Sequence, residues 1–175
     1  VTGLIGSDSI GTVSYSRTGS DENVGTYPNV LTASYTANSN YTVTVNNGDF
    51  TITPATGADL DITSYSGIYD GAAHSITVSG LITGDTLWYS LTNNGTDWTT
   101  TQPDFTNVTS ATTVYVKVTN PNYLDRTGSG TVTITPAPVT ITVTDASKVY
   151  GTSDPAFSGS VTGLIGSDSI GTVSY

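Results

Sequence analysis

The sequence predicts an all-β protein built from small β-sandwich modules in tandem. Three observations carry that expectation. Thr, Val, Ile and Tyr, which suit a pleated and half-buried surface, dominate a chain that lacks the Leu, Ala, Glu and Lys runs of a good helix. Apolar residues alternate with polar ones in short runs, and Gly, Asn, Ser and Pro stand between the runs as turn formers. Finally, Val1 to Tyr15, VTGLIGSDSIGTVSY, returns unchanged as Val161 to Tyr175, an offset of 160 residues. A recurrence of that length marks one period of a repeat plus a short overlap, and it points away from an enzyme.

Composition narrows the partners. A formal net charge of −10, with only four Lys and Arg, repels nucleic acid phosphate and anionic lipid. With no Cys, neither disulfides nor thiolate metal sites are available. No apolar run approaches the roughly 18 residues of a membrane-spanning helix. The hydrophobic fraction, 35%, is modest, but it is arranged in alternating strands, so a folded chain is expected over a disordered one.

The period divides into two related modules. Tyr41 precedes Thr51-Ile52-Thr53-Pro54-Ala55 as Tyr123 precedes Thr133-Ile134-Thr135-Pro136-Ala137, in both cases by ten positions. Val78-Ser79-Gly80-Leu81-Ile82-Thr83-Gly84-Asp85 resembles Val161 to Asp168, and therefore Val1 to Asp8. Each is preceded by a Tyr-Gly element, Tyr69-Asp70-Gly71 or Tyr150-Gly151. Residues 56–137 thus form a complete module, B. Module A is split: its back is 1–55, and its front is 138–175.

The elements follow in order. Tyr41, Val43 and Val45 alternate with Thr42 and Thr44 and predict a strand, with Phe50 and Ile52 filling the last strand of that module. In module B, Leu60 and Ile62 alternate with Asp59, Asp61 and Thr63 in a first strand, and residues 74–78 form a second. Leu87, Tyr89 and Leu91 mark a third, turned by Asn93-Asn94-Gly95, because Asn-Gly tolerates positive φ. Over Thr112 to Thr119, Val114, Val116 and Val118 share one face and Tyr115 and Lys117 the other. Thr131 to Thr135 closes the module with Val132 and Ile134 inward, and Pro136 and Pro138 stop the strand. Val139, Ile141 and Val143 then begin the next module. About seven short strands with turns every 8–12 residues is the sandwich pattern. Linkers of one or two residues after each Pro-Ala predict a fairly straight rod.

A family resemblance runs through these residues. Lys148-Val149-Tyr150-Gly151-Thr152-Ser153-Asp154-Pro155-Ala156-Phe157, Val161-Thr162-Gly163-Leu164, Glu22 to Tyr27, Asn40-Tyr41 and Thr51 to Pro54 together resemble the MBG family of bacterial immunoglobulin-like repeats. Module B, through Tyr69-Asp70-Gly71 and Asn120-Pro121-Asn122-Tyr123, resembles a related surface-protein repeat that alternates with it. The resemblance implies tandem immunoglobulin-like sandwiches in an extracellular, cell-surface or adhesin-like protein, serving as stalk or fibre, with no catalytic residues to carry over. The expected partners are neighbouring copies of the repeat, in the same chain or head-to-tail between chains.

Chemistry-bearing residues are few. His74 is the only His, and Asp70 stands four residues before it as a base might have its orienting acid. No nucleophile is placed beside them, and a surface His near a turn is the favoured reading. Asp59 and Asp61 at the junction of modules, and Asp21 and Glu22 in a polar turn, are the calcium candidates, because carboxylates at a junction stiffen a rod by ligation. Alternation puts Asp59 and Asp61 on a solvated face, which favours plain solubilising charge, and no other cofactor is expected. Lys148, just past a first strand, is the candidate donor for an intramolecular isopeptide cross-link, and Gln102 is the only Gln for an ester. A solvated Lys is the favoured alternative. Trp88 and Trp98 flank the Asn-Gly turn and are the sugar-binding candidates, although packing on the sandwich is the commoner fate of such residues. Asn40, Asn94 and Asn107 match the glycosylation pattern, as composition alone leads one to expect.

Overall fold

The structure is a computed structural model that describes residues 1–92 and 94–174. The predicted turn residue Asn93 and the last residue of the second copy, Tyr175, lie outside the described residues. The chain is all-β, with eleven strands and no helix among the described residues. It divides into two units, Val1–Gly57 with Thr119–Leu124, and Ala58–Val118 with Asp125–Tyr175.

The first unit carries an antiparallel three-stranded sheet in the order β1-β2-β3: β1 (Ser14–Arg17), β2 (Gly25–Ser34) and β3 (Gly48–Ile52). β2 is central although it contains Pro28, which cannot donate to the ladder. The chain accommodates the proline in a bulge. The β2–β3 register shifts between Tyr27 and Leu31, and Asn29 takes the left-handed conformation, φ 58°. Asp49 accepts the Asn29 amide N–H at 2.9 Å, and Asn47 donates to the Asn29 carbonyl at 3.2 Å, so the bulge is held by side chains. The expected strand through Tyr41, Val43 and Val45 does not form. The β2–β3 ladder stops at Leu31↔Gly48, so the residues upstream of Gly48 have no ladder partner.

The second unit holds a two-layer arrangement. β4 (Asp61–Thr63) pairs antiparallel with β6 (Thr77–Ser79). The larger sheet has the order β5-β9-β8-β7, made of β5 (Tyr65–Ile68), β7 (Thr86–Ser90), β8 (Thr109–Asn120) and β9 (Tyr123–Thr135). Only two residues join β8 to β9, which forces an antiparallel hairpin. β4 and β5 are one run of chain that changes sheets at Ser64, whose Oγ accepts the Thr131 amide at 2.9 Å. β5 was not foreseen. It runs parallel to β9, from Tyr65↔Val132 to Ile68↔Thr135.

The alternation read from the sequence decides the core. Val114, Val116, Val118, Val132 and Ile134 are at most 1% exposed, and Ile76 and Tyr89 join them. Leu60, Ile62 and Val78 from the β4–β6 layer pack onto that cluster. A side chain at Gly130 would strike both Ile62 and Ile76, so glycine there lets the second layer close onto β9. β9 ends at Thr135, one residue before Pro136, as expected. Beyond it, β10 (Thr140–Val143) and β11 (Gly159–Thr162) form a separate antiparallel pair. Here the expected inward face is bare: Ile141 is 48% and Val143 60% exposed.

Candidate functional site

Asp59 and Asp61 are exposed on the outer face of β4 or just before it, as alternation requires. The Asp21–Glu22 turn is held by a cation already present: Arg17 donates to the Asp21 carbonyl and reaches Glu22 Oε1 at 3.4 Å. The same guanidinium lies 4.5 Å from the Phe50 ring centroid and 5.5 Å from that of Tyr27. Among the described residues no three His, Cys, Asp or Glu side chains gather as a metal site. Lys148 pairs with Asp154 at 2.6 Å in solvent-exposed surroundings, without the burial an isopeptide donor needs. Gln102 is committed to structure, donating to the Ile76 carbonyl at 2.6 Å and to Ser75 Oγ at 3.0 Å.

Trp88 and Trp98 come to the same neighbourhood, with a cation between them. Lys117 Nζ lies 5.0 Å from the Trp98 centroid and 5.9 Å from that of Trp88. Both indoles are half-buried, and the lysine takes up aromatic surface that a sugar would need. The turn between them is held by Asp97, which accepts from Ser90 Oγ and Thr92 Oγ1, both at 2.7 Å. The Thr92 hydroxyl first, and the Ser90 hydroxyl next, keep the Asp97 carboxyl below the usual carboxylate range.

His74 and Asp70 do meet. His74 Nε2 lies 2.9 Å from Asp70 Oδ1, and the imidazole stacks on Tyr65 with ring centroids 4.0 Å apart. The His74 ring, and then the Ala72 amide, pull the Asp70 carboxyl below its ordinary value. His74 also exchanges both backbone bonds with Phe105. The arrangement fixes the start of the second strand.

One knot of side chains went unforeseen. Arg126, on β9, donates to the carbonyls of Ala58 (2.7 Å) and Gly80 (2.9 Å) and pairs with Asp85, whose side chain is 3% exposed. Asp85 also accepts the Ile82 amide at 2.8 Å, closing the turn after β6. The corresponding turn in the first unit is closed by Tyr41, which donates to Asp8 at 2.6 Å and accepts the Ile5 amide at 2.9 Å. The alignment of Asp8 with Asp85 was readable, but partners dozens of residues away were not.

One concave surface of the first unit gathers residues from both ends of its chain segment. It is a groove of about 330 Å³ lined by Leu4, Ile10, Val13, Tyr35, Tyr41 and Val43, among others. Among the described residues, β3 pairs with a strand on one side only, β2. In proteins that bind by β-augmentation, an unpaired strand edge takes up an added strand by main-chain bonding.

An all-β chain in which fifteen residues recur is a β-repeat protein. Residues 139–175 match the family described as MBG domain (YGX type), and Tyr150-Gly151 lies within the match. Repeats of this kind occur in bacterial surface proteins. Comparison with curated proteins and with solved structures finds no match.

Proposed function

We propose that this chain is one period of a tandem β-repeat forming the stalk or fibre of a bacterial cell-surface, adhesin-like protein. Its role is to give length and mechanical support outside the cell, without catalysis. The observation that carries this reading is the return of Val1 to Tyr15 as Val161 to Tyr175, whose Gly3/Gly163 and Gly6/Gly166 pairs share their φ angles (95° and 95°, 58° and 57°). A segment whose turn takes the same backbone conformation at each period is the property a solenoid or rod is built on. The test is the length of chains carrying two, four and six periods, measured by small-angle scattering and electron microscopy. A stalk lengthens by a constant increment per period. A maximum dimension growing only as about the 0.38 power of residue number, as a compact globule's radius does, defeats the reading.

A second reading has one observation in its favour. Val139, Ile141 and Val143 are exposed on a short sheet, as they would be in a subunit completed by strand exchange between separate chains. The intact mass of denatured native material separates the two. Steps of one period support the covalent stalk, and a single 18.0 kDa species supports the assembling subunit.

A further inference from the structure

We propose that the open β1-β2-β3 sheet is completed by residues 138–160 of the preceding copy of the repeat, in a register that the second unit displays. This deepens the stalk reading above and rests on it, because residue 160 of one copy then leads directly into Val1 of the next.

The two copies of the fifteen-residue segment are covered in complementary halves. Val1 and Ile5 are 77% and 76% exposed, whereas Val161 and Ile165 are half-buried. Ile10 is 4% exposed, whereas Ile170 is 45% exposed. The first copy has cover over its back half but lacks β10. The second has β10 but lacks cover over its back half. Neither segment is complete, and the missing half of each is present at the other.

The glycines at the strand ends say what stands opposite. Gly163 has φ +95°, and a side chain there would strike the Pro138 carbonyl oxygen. Gly80, at the end of β6, has φ +83° and meets the Asp59 carbonyl in the same way. Gly3 has φ +95° and nothing within 4 Å. The first unit thus holds the receptor for a strand that it lacks.

Module B supplies the register. β4–β6 pairs Ile62 with Val78 and Asp61 with Ser79, and β10–β11 pairs Ile141 with Val161 and Thr140 with Thr162. Carried onto the first copy, Ile141 of the preceding copy faces Val1, Thr140 faces Thr2, and Pro138 meets Gly3. Leu60 and Ile62 pack on the module B core, so Val139 and Ile141, 39% and 48% exposed here, fill the groove over Ile10 and Val43. The Tyr-Gly steps align Tyr150 with Tyr69. Tyr69 packs on the core and donates its amide to the Thr135 carbonyl at 2.8 Å, whereas Tyr150 is fully exposed. β5 pairs in parallel with β9 just before Tyr69. Residues 146–149 therefore add in parallel to the free edge of β3, with Val149 beside Thr53, and Tyr150 reaches the Thr53 carbonyl.

The experiment takes the full chain and the same chain with a second copy of residues 138–160 placed before Val1. A third chain carries a scrambled version of that extension. Hydrogen–deuterium exchange is read at residues 1–5 and 48–53. The native extension is expected to slow exchange there by about tenfold or more over both controls. Gly3→Val is expected to abolish that slowing in the extended chain and to leave exchange at 48–53 unchanged in the unextended one. Equal exchange in the native and scrambled extensions overturns the proposal. Slow exchange appearing in the unextended chain only as concentration rises, with dimers, also overturns it, because the occupant is then a separate chain. Chains of several periods that lengthen linearly while β3 stays open refute this inference and leave the stalk standing.

Discussion

Arg126 is the residue on which the turn end of module B depends. Its guanidinium satisfies two carbonyls before and after the β4–β6 pair and faces the buried carboxylate of Asp85. Arg126→Met keeps the stem's packing but removes the charge from a buried pair. It is expected to cost about 3–5 kcal/mol in urea unfolding. Asp70 and Asp97 set the acid limit in a gentler way. Each has a native pKa below its ordinary 3.8 because hydroxyl, ring or amide donors favour the charged form. A depressed carboxylate contributes stability that is present in full above 3.8 and fades as pH falls through the lowered native value. Melting temperatures between pH 6 and pH 2 should therefore decline below that point, and Asp97→Asn should flatten part of the decline. The Asp70–His74 pair was legible from its four-residue spacing, whereas Asp85 and Arg126 are 41 residues apart, and no local pattern connects them.

At the scale of elements, the same substitution should have very different consequences at two strand positions. Ile134→Ala empties a site 1% exposed at the centre of the core and is expected to cost about 2–5 kcal/mol. Ile141→Ala removes a side chain that is 48% exposed and should change the stability of this chain by about 0.5 kcal/mol or less. Chemical denaturation of the two variants checks both. Strands that alternate over a buried face were readable from their residues: Val114, Val116 and Val118, Val132 and Ile134, and Leu87 with Tyr89. Those whose partner is distant, or whose residues do not alternate, were not. β5 spells Tyr-Ser-Gly-Ile and owes its existence to a parallel neighbour 67 residues on. β2 is broken by Pro28-Asn29. Tyr41 to Val45 alternates as a strand should, yet it has no ladder to join, because periodicity reports which faces are apolar and not whether an edge is within reach.

For the whole molecule, the repeat was the most legible feature and the scattered site candidates the least. Fifteen identical residues fix a period without any structure, and the division into modules rests on the equal lengths between Tyr41 and Thr51 and between Tyr123 and Thr133. Lys148, Trp88 and Trp98 were singled out by residue type and place along the chain, and neither says that Asp154 and Lys117 stand against them. The parallel pairing of β5 with β9 has one more consequence. β5 lies near the start of module B and β9 at its end, side by side and pointing the same way. Tension applied at residues 58 and 137 pulls the two strands in opposite directions along their shared axis. The main-chain bonds between Tyr65↔Val132 and Ile68↔Thr135 are then loaded together in shear, whereas pulling between residues 110 and 137, at one end of the β8–β9 hairpin, would peel those strands apart bond by bond. Single-molecule stretching should find a markedly higher rupture force through the first pair of attachment points than through the second.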